Sequence, residues 1–156
     1  MKWLLFIAGI LLFTACDPNR VYEQNVDFEQ RQWSVSEQPQ FEFTIDDTTQ
    51  GYNLYANIRN EVSYPNANLY FTYYLNDTTG KVLAKKLVTE FLFDKKTGRP
   101  FGSSVLGDIY NHRFPILKNY SFQTPGKYSV RFEQFMRSDT LEGILSVGLR
   151  VERNEK

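Results

Sequence analysis

Cysteine and histidine each occur once in the 156 residues, as Cys16 and His112, so any cysteine or histidine chemistry rests on one side chain of each. A lone cysteine makes no internal disulfide, and without a Cys/His cluster zinc has no ligand set. His112 stands four residues after Asp108, which on a helix would put both on one face and begin a metal site. No further His or Cys completes it, and no EF-hand loop occurs. The expectation is therefore no metal and no cofactor, with His112 an exposed loop residue. Asp46-Asp47, and Asp77 beside Asn76, could bind calcium at a sandwich edge, but turn chemistry accounts for both. The 18 acidic residues offer many chance carboxylate pairs and no marked glycosidase pair. No Gly-x-Ser-x-Gly, Walker-type loop or dinucleotide fingerprint is present. The chain is not expected to be an enzyme. Its 18 basic residues balance the acidic ones, which argues against a nucleic-acid partner.

The setting of Cys16 gives it a different chemistry. Met1-Lys2 is a one-charge start, and Trp3 to Phe13 is an apolar run of eleven residues. A spanning helix needs about 20 apolar residues, so this run fits a signal-peptide core instead. Thr14-Ala15-Cys16 then resembles a bacterial lipobox, with cleavage between Ala15 and Cys16 and acyl chains such as palmitate on the cysteine. Phe13 stands where such boxes usually carry an aliphatic residue. Two or three acyl chains hold a protein stably where one holds it marginally. The expected organisation is a lipoprotein signal peptide over 1–15, a lipidated polar tether over 16–20, and one domain over 21–156. No other segment is expected to span a membrane.

The elements that carry the remaining side chains are written in period two. Phe41, Phe43 and Ile45 alternate with polar residues, as do Leu54, Ala56 and Ile58. Leu69, Phe71 and Tyr73 repeat the pattern, as do Tyr128, Val130 and Phe132. Leu145, Val147, Leu149 and Val151 make a fifth run. Lys81 to Phe93 fits a strand better than a helix, because of its Phe-Leu-Phe end and its neighbours. Ser103 to Tyr110 could form one or two helical turns. Asp46 to Gly51 and Asn76 to Gly80 are near copies of one Asx/Gly turn. The fold expected is all-β: an antiparallel two-sheet β-sandwich, immunoglobulin-like or jelly-roll in type, with about seven to nine strands.

The chain holds 25 aromatic residues, 13 Phe, 10 Tyr and 2 Trp, more than a core obviously requires. If Leu69, Phe71 and Tyr73 face in, Tyr70 and Tyr74 face out, with Tyr55 on a neighbouring strand. That strip could seat a protein or stack sugars, since tyrosine joins apolar area to a polar tip. The segment from Asp94 to Pro115 reads as a 22-residue loop, far longer than the ~4–6 residues usual for a connection. It contains Phe101, Asp108, Tyr110, His112 and Arg113 and is the first place to look for a partner.

Several blocks resemble a known family. They are Cys16 after its short leader, Tyr52 to Asn60, Tyr64-Pro65, Gly102 to Tyr110, Pro125-Gly126-Lys127-Tyr128 and Leu141 to Ile144. Together they look like the gliding-motility lipoprotein family GldH of the Bacteroidetes, over almost the whole mature chain. The resemblance implies a cell-envelope lipoprotein supporting gliding and the linked type IX secretion machinery, and it supplies no catalytic residues. Lipidation carries over onto Cys16. Expected partners are the membrane, through the lipid, and other envelope lipoproteins or motility and secretion proteins. The expected location faces the periplasm, with the outer membrane favoured. The alternative is a surface glycan-binding sandwich lipoprotein.

Overall fold

A computed structural model describes residues 17–154. The expected signal peptide over 1–15, the expected Ala15/Cys16 cleavage and the expected lipidation of Cys16 fall outside the described residues. Among those described, eleven strands form three antiparallel sheets and there is no helix. In chain order they are β1 (Arg20–Asp27), β2 (Gln32–Ser34), β3 (Gln40–Ile45), β4 (Tyr52–Glu61), β5 (Asn68–Asn76) and β6 (Val82–Phe91). Then follow β7 (Ser103–Leu106), β8 (Ile109–Tyr120), β9 (Gly126–Gln134), β10 (Thr140–Glu142) and β11 (Ile144–Arg153).

A five-stranded sheet runs β1-β11-β4-β8-β7 and a four-stranded sheet β3-β9-β5-β6, so the expected two-sheet sandwich is present. A two-stranded ribbon, β10-β2, caps one end with Trp33 and Leu141 buried. The inward rows are those that period two marked. Leu54, Ala56 and Ile58 of β4 oppose Val151, Leu149 and Val147 of β11, and all are fully buried. Across the core, Phe41, Phe43, Leu69, Phe71, Leu75, Val130 and Phe132 supply the other layer. Aromatic rings join the sheets, with Tyr22 6.0 Å from Phe43 and Tyr52 5.5 Å from Phe122. Twelve of the 22 aromatic side chains among the described residues are buried, so just over half of them are core.

Three expectations are corrected. Asp94 to Pro115 is no long loop, because β7 and most of β8 lie inside it, joined by a tight turn at Gly107-Asp108. The helical turns over 103–110 are absent for the same reason: β7 pairs with β8 from Ser103↔Asn111. Pro115 hid the strand. β7 pairs only as far as Asn111, so Pro115 lies where β8 has β4 on one side and no neighbour on the other, and its missing N–H costs no ladder bond there. Finally, Leu145 is only half-buried, because an irregularity between Ile144 and Ser146 hands its inward place to Ile144.

The two ends of the sandwich differ. At the near end lie Asp17, the start of β1, the end of β11 and the loops over 46–51, 76–81 and 121–125. Asp47 Oδ1 there accepts from the Thr49 N–H (2.8 Å) and hydroxyl (2.6 Å), and Asp77 Oδ1 does the same with Thr79 (2.8 and 2.7 Å). The near-identical turns thus share one Asx geometry. At the far end lie the β2-β10 ribbon, the β7-β8 turn and the loops over 62–67, 92–102 and 135–139.

Candidate functional site

The outer face of the five-stranded sheet is polar because the even-numbered β4 residues are spent on the core. Its rows follow from the register. One runs Glu23, Arg150, Tyr55 and Pro115, and the next runs Asn25, Gly148, Asn57 and Arg113. Arg150 is 5% exposed and sits at the centre. Its Nη1 donates to Glu23 Oε2 at 2.6 Å, and it also donates to Asp17 and Glu152. Glu23 Oε1 accepts from Asn57 Nδ2 (3.0 Å) and Arg113 Nη2 (3.2 Å). Burial and the neighbouring Glu152 carboxylate raise the Tyr55 hydroxyl's pKa, so this tyrosine lies beside the charged cluster.

Electrostatics follow the contacts. Burial works against the charge on Glu23, yet hydrogen bonds from Arg150 and Asn57 outweigh it and hold the carboxyl below its ordinary value. The Asp17 carboxyl is lowered, first by the Asn19 N–H and then by Arg150, against some desolvation. Arg150 itself is pushed up by its three carboxylate partners, against the cost of burial.

Gly148 lets the Asn25 side chain and the Gln24 carbonyl come close over the second row. A Cβ there would lie 2.7 Å from the Gln24 carbonyl oxygen and would strike the Asn25 side chain. On the same outer face lies a shallow cleft of about 440 Å³, lined mainly by Glu23, Asn25, Asn57, Arg59, Asn111 and Arg113. Its amides, guanidinium groups and carboxylate can exchange hydrogen bonds with hydroxyls or peptide groups.

A second candidate mixes apolar side chains with Asn66, Arg137 and Ser138 and lies toward the far end. Tyr70, Leu87, Phe135 and Met136 line a groove of about 540 Å³ on the outer face of the four-stranded sheet. Phe135 is 62% exposed, Phe101 61% and Leu106 77%, and Val62 is exposed nearby in the chain path. Of the exposed large apolar side chains among the described residues, only Val82 and Leu83 belong to the near end.

The residues singled out from the sequence therefore do not form one strip. Tyr70 and Tyr74 face outward as expected, but Tyr55 is on the other sheet and the opposite outer face. Tyr74 is packed: its ring lies 3.9 Å from the Arg131 guanidinium and 4.7 Å from Lys85 Nζ, and its hydroxyl donates to Glu133 at 2.6 Å. Phe101 and Asp108 are exposed at the far end, Tyr110 is half-buried in β8, and Arg113 is exposed and paired with Glu23. His112 is corrected from an exposed loop residue to a buried strand residue, 6% exposed and stacked on Phe114 at 5.5 Å. Burial lowers its pKa to about 4, and its Nε2 has no hydrogen-bond partner among the described residues. Asp108 and His112 share no helix. Arg150 and Glu23 were missed, although Arg150 occupies an outward place in a recognised strand; nothing in its own strand names its partners on β1.

The family described as GldH lipoprotein matches residues 20–151, from the first residue of β1 nearly to the end of β11. The chain belongs to the GldH lipoprotein family. Among curated relatives of this GldH-family chain, a gliding motility lipoprotein GldH homolog from Christiangramia forsetii is 32% identical, covering 97% of this chain and 94% of its own. The gliding motility lipoprotein GldH of Flavobacterium johnsoniae is 28% identical, covering 97% and 96%. Membership of a lipoprotein family implies a lipid-anchored protein of a membrane or envelope. Similar solved structures include two infectious bursal disease virus chains. One, a VP2 subviral particle, is 16% identical with a TM-score of 0.44; the other, from the Gx strain, is 13% identical with a TM-score of 0.47. They cover 87% and 88% of this GldH-family chain, which spans 33% and 32% of theirs.

Proposed function

We propose that this chain is a non-catalytic, lipid-anchored interaction component of the gliding-motility machinery and the linked type IX secretion apparatus. Its leader is cleaved before Cys16, acyl chains on that residue hold it in the envelope, and the sandwich faces the periplasm from the outer membrane. The names of both relatives support the motility part of the reading. The observation that carries the interaction role is the gathering of exposed apolar side chains, Val62, Tyr70, Phe101, Leu106 and Phe135, toward the end far from Asp17. Exposed apolar side chains grouped on one end are a common mark of a protein contact. The partners are protein components of that apparatus. Affinity purification from envelopes tests this: motility or secretion components should co-purify with the tagged protein and be lost with Leu106→Ser plus Phe135→Ser. Their absence from the wild-type preparation contradicts the reading.

A surface glycan-binding role is the second reading. The cleft lined by Asn57, Asn111 and Arg113 favours it, because amides and guanidinium groups suit sugar hydroxyls. A glycan-array signal abolished by Asn57→Ala would support it. No signal, together with motility partners in the purification, removes it.

A further inference from the structure

The first described residues are not slack. Asp17 bonds the buried Arg150 side chain and accepts from the Asn19 N–H at 3.1 Å. The Pro18 carbonyl accepts from Arg153 Nη1 at 3.1 Å, and the Asn19 carbonyl from the Arg153 N–H at 2.8 Å. β1 begins at the next residue, with Arg20 opposite Glu152. The chain therefore lies on the last strand from residue 17 onward. Cys16 is joined directly to Asp17, and successive Cα atoms are about 3.8 Å apart. A flexible ten-residue linker, by contrast, would wander over about 17 Å.

We infer that this docked segment fixes how the sandwich sits on the bilayer: the near end lies against the lipid headgroups and the far end projects outward. The inference rests on the reading that Cys16 is acylated. β4 has ten residues, so at about 3.3 Å per residue the far end stands about 30 Å from the near one. The surface chemistry fits a lipid surface. Lys81, Lys118, Lys127 and Arg153 are exposed at or beside the near end, where they can meet phosphate groups. Val82 and Leu83 are exposed next to Lys81, an apolar edge at interfacial depth. The carboxylates of Asp47 and Asp77 are turned into their own loops, while Asp46 beside them is exposed. The same seating carries Leu106 and Phe101 away from the membrane.

Because acylation consumes the one native cysteine, a second cysteine can be labelled alone. Lipidated protein carrying Thr78→Cys (near) or Leu106→Cys (far), each with a fluorophore, is reconstituted in phosphatidylethanolamine/phosphatidylglycerol vesicles containing a headgroup nitroxide lipid. The near probe should be quenched several-fold more than the far probe. Ten Gly/Ser residues inserted between Cys16 and Asp17, which leave the sandwich intact, should erase the contrast. Equal quenching without the insert overturns the inference, as does a contrast that survives it. Failure of the protein to partition with vesicles removes the acylation reading and the inference together, which distinguishes that outcome from misplaced orientation.

Discussion

At the residue scale, two buried polar groups set measurable behaviour. His112 is neutral in the fold, with a pKa of about 4, whereas the unfolded chain takes up a proton near 6.5. Between those values the unfolded state binds more protons, so stability falls as pH falls from 6.5 toward 4. Going from pH 7 to 4.5 should cost about 2 kcal/mol, read by urea unfolding, and His112→Leu should flatten that segment. Glu23 and Asp17 have lowered values, so their contribution is present above the ordinary carboxylate range and is lost only at still lower pH. Arg150 is the other group. Arg150→Met leaves Glu23, Glu152 and Asp17 clustered without their cation, and should cost about 2–4 kcal/mol. Adding Glu23→Gln to it should cost less than the two single changes summed, since the pair is coupled. A strictly additive cycle would show that the cluster does not act as a unit.

At the element scale, the five-stranded sheet depends on a close approach at Gly148. Gly148→Ala brings a methyl against the Gln24 carbonyl, so β1 must shift, at about 1–3 kcal/mol. Hydrogen exchange should then accelerate in Arg20–Asp27 before the four-stranded sheet is touched; uniform acceleration would contradict a local effect. What the sequence made legible follows the same logic. β3, β4, β5, β9 and most of β11 alternate because one face is core and the other is not. β1 was unreadable since it is an edge strand with mostly half-exposed or exposed residues, and β8 because Pro115 punctuates it where one side is open. Sheet membership is set by long-range pairing, so no local pattern could place Tyr55 on one outer face and Tyr70 on the other. Asp108 and His112 gave a helical spacing by coincidence, in a segment that is β-hairpin.

At the scale of the whole molecule, the first strand is paired with the last, and the residues preceding it are pinned to β11 by Arg150 and Arg153. The docked residues from Asp17 onward and the exposed apolar side chains Phe101 and Leu106 thereby lie at opposite ends of the sandwich. The sequence pointed to an anchor at Cys16 and to surplus aromatics; among the described residues, the structure buries just over half of the aromatics in the core and leaves Tyr70, Phe101 and Phe135 exposed at the far end. The central claim is that this far end is where protein partners dock. Site-specific photocrosslinking in intact envelopes tests it most directly, with a photoreactive residue at Leu106, Phe135 or Thr78. Crosslinks from Leu106 and Phe135 to motility or secretion proteins, with none from Thr78, are the predicted result. Protein crosslinks from Thr78 alone, or equally from all three positions, would contradict it.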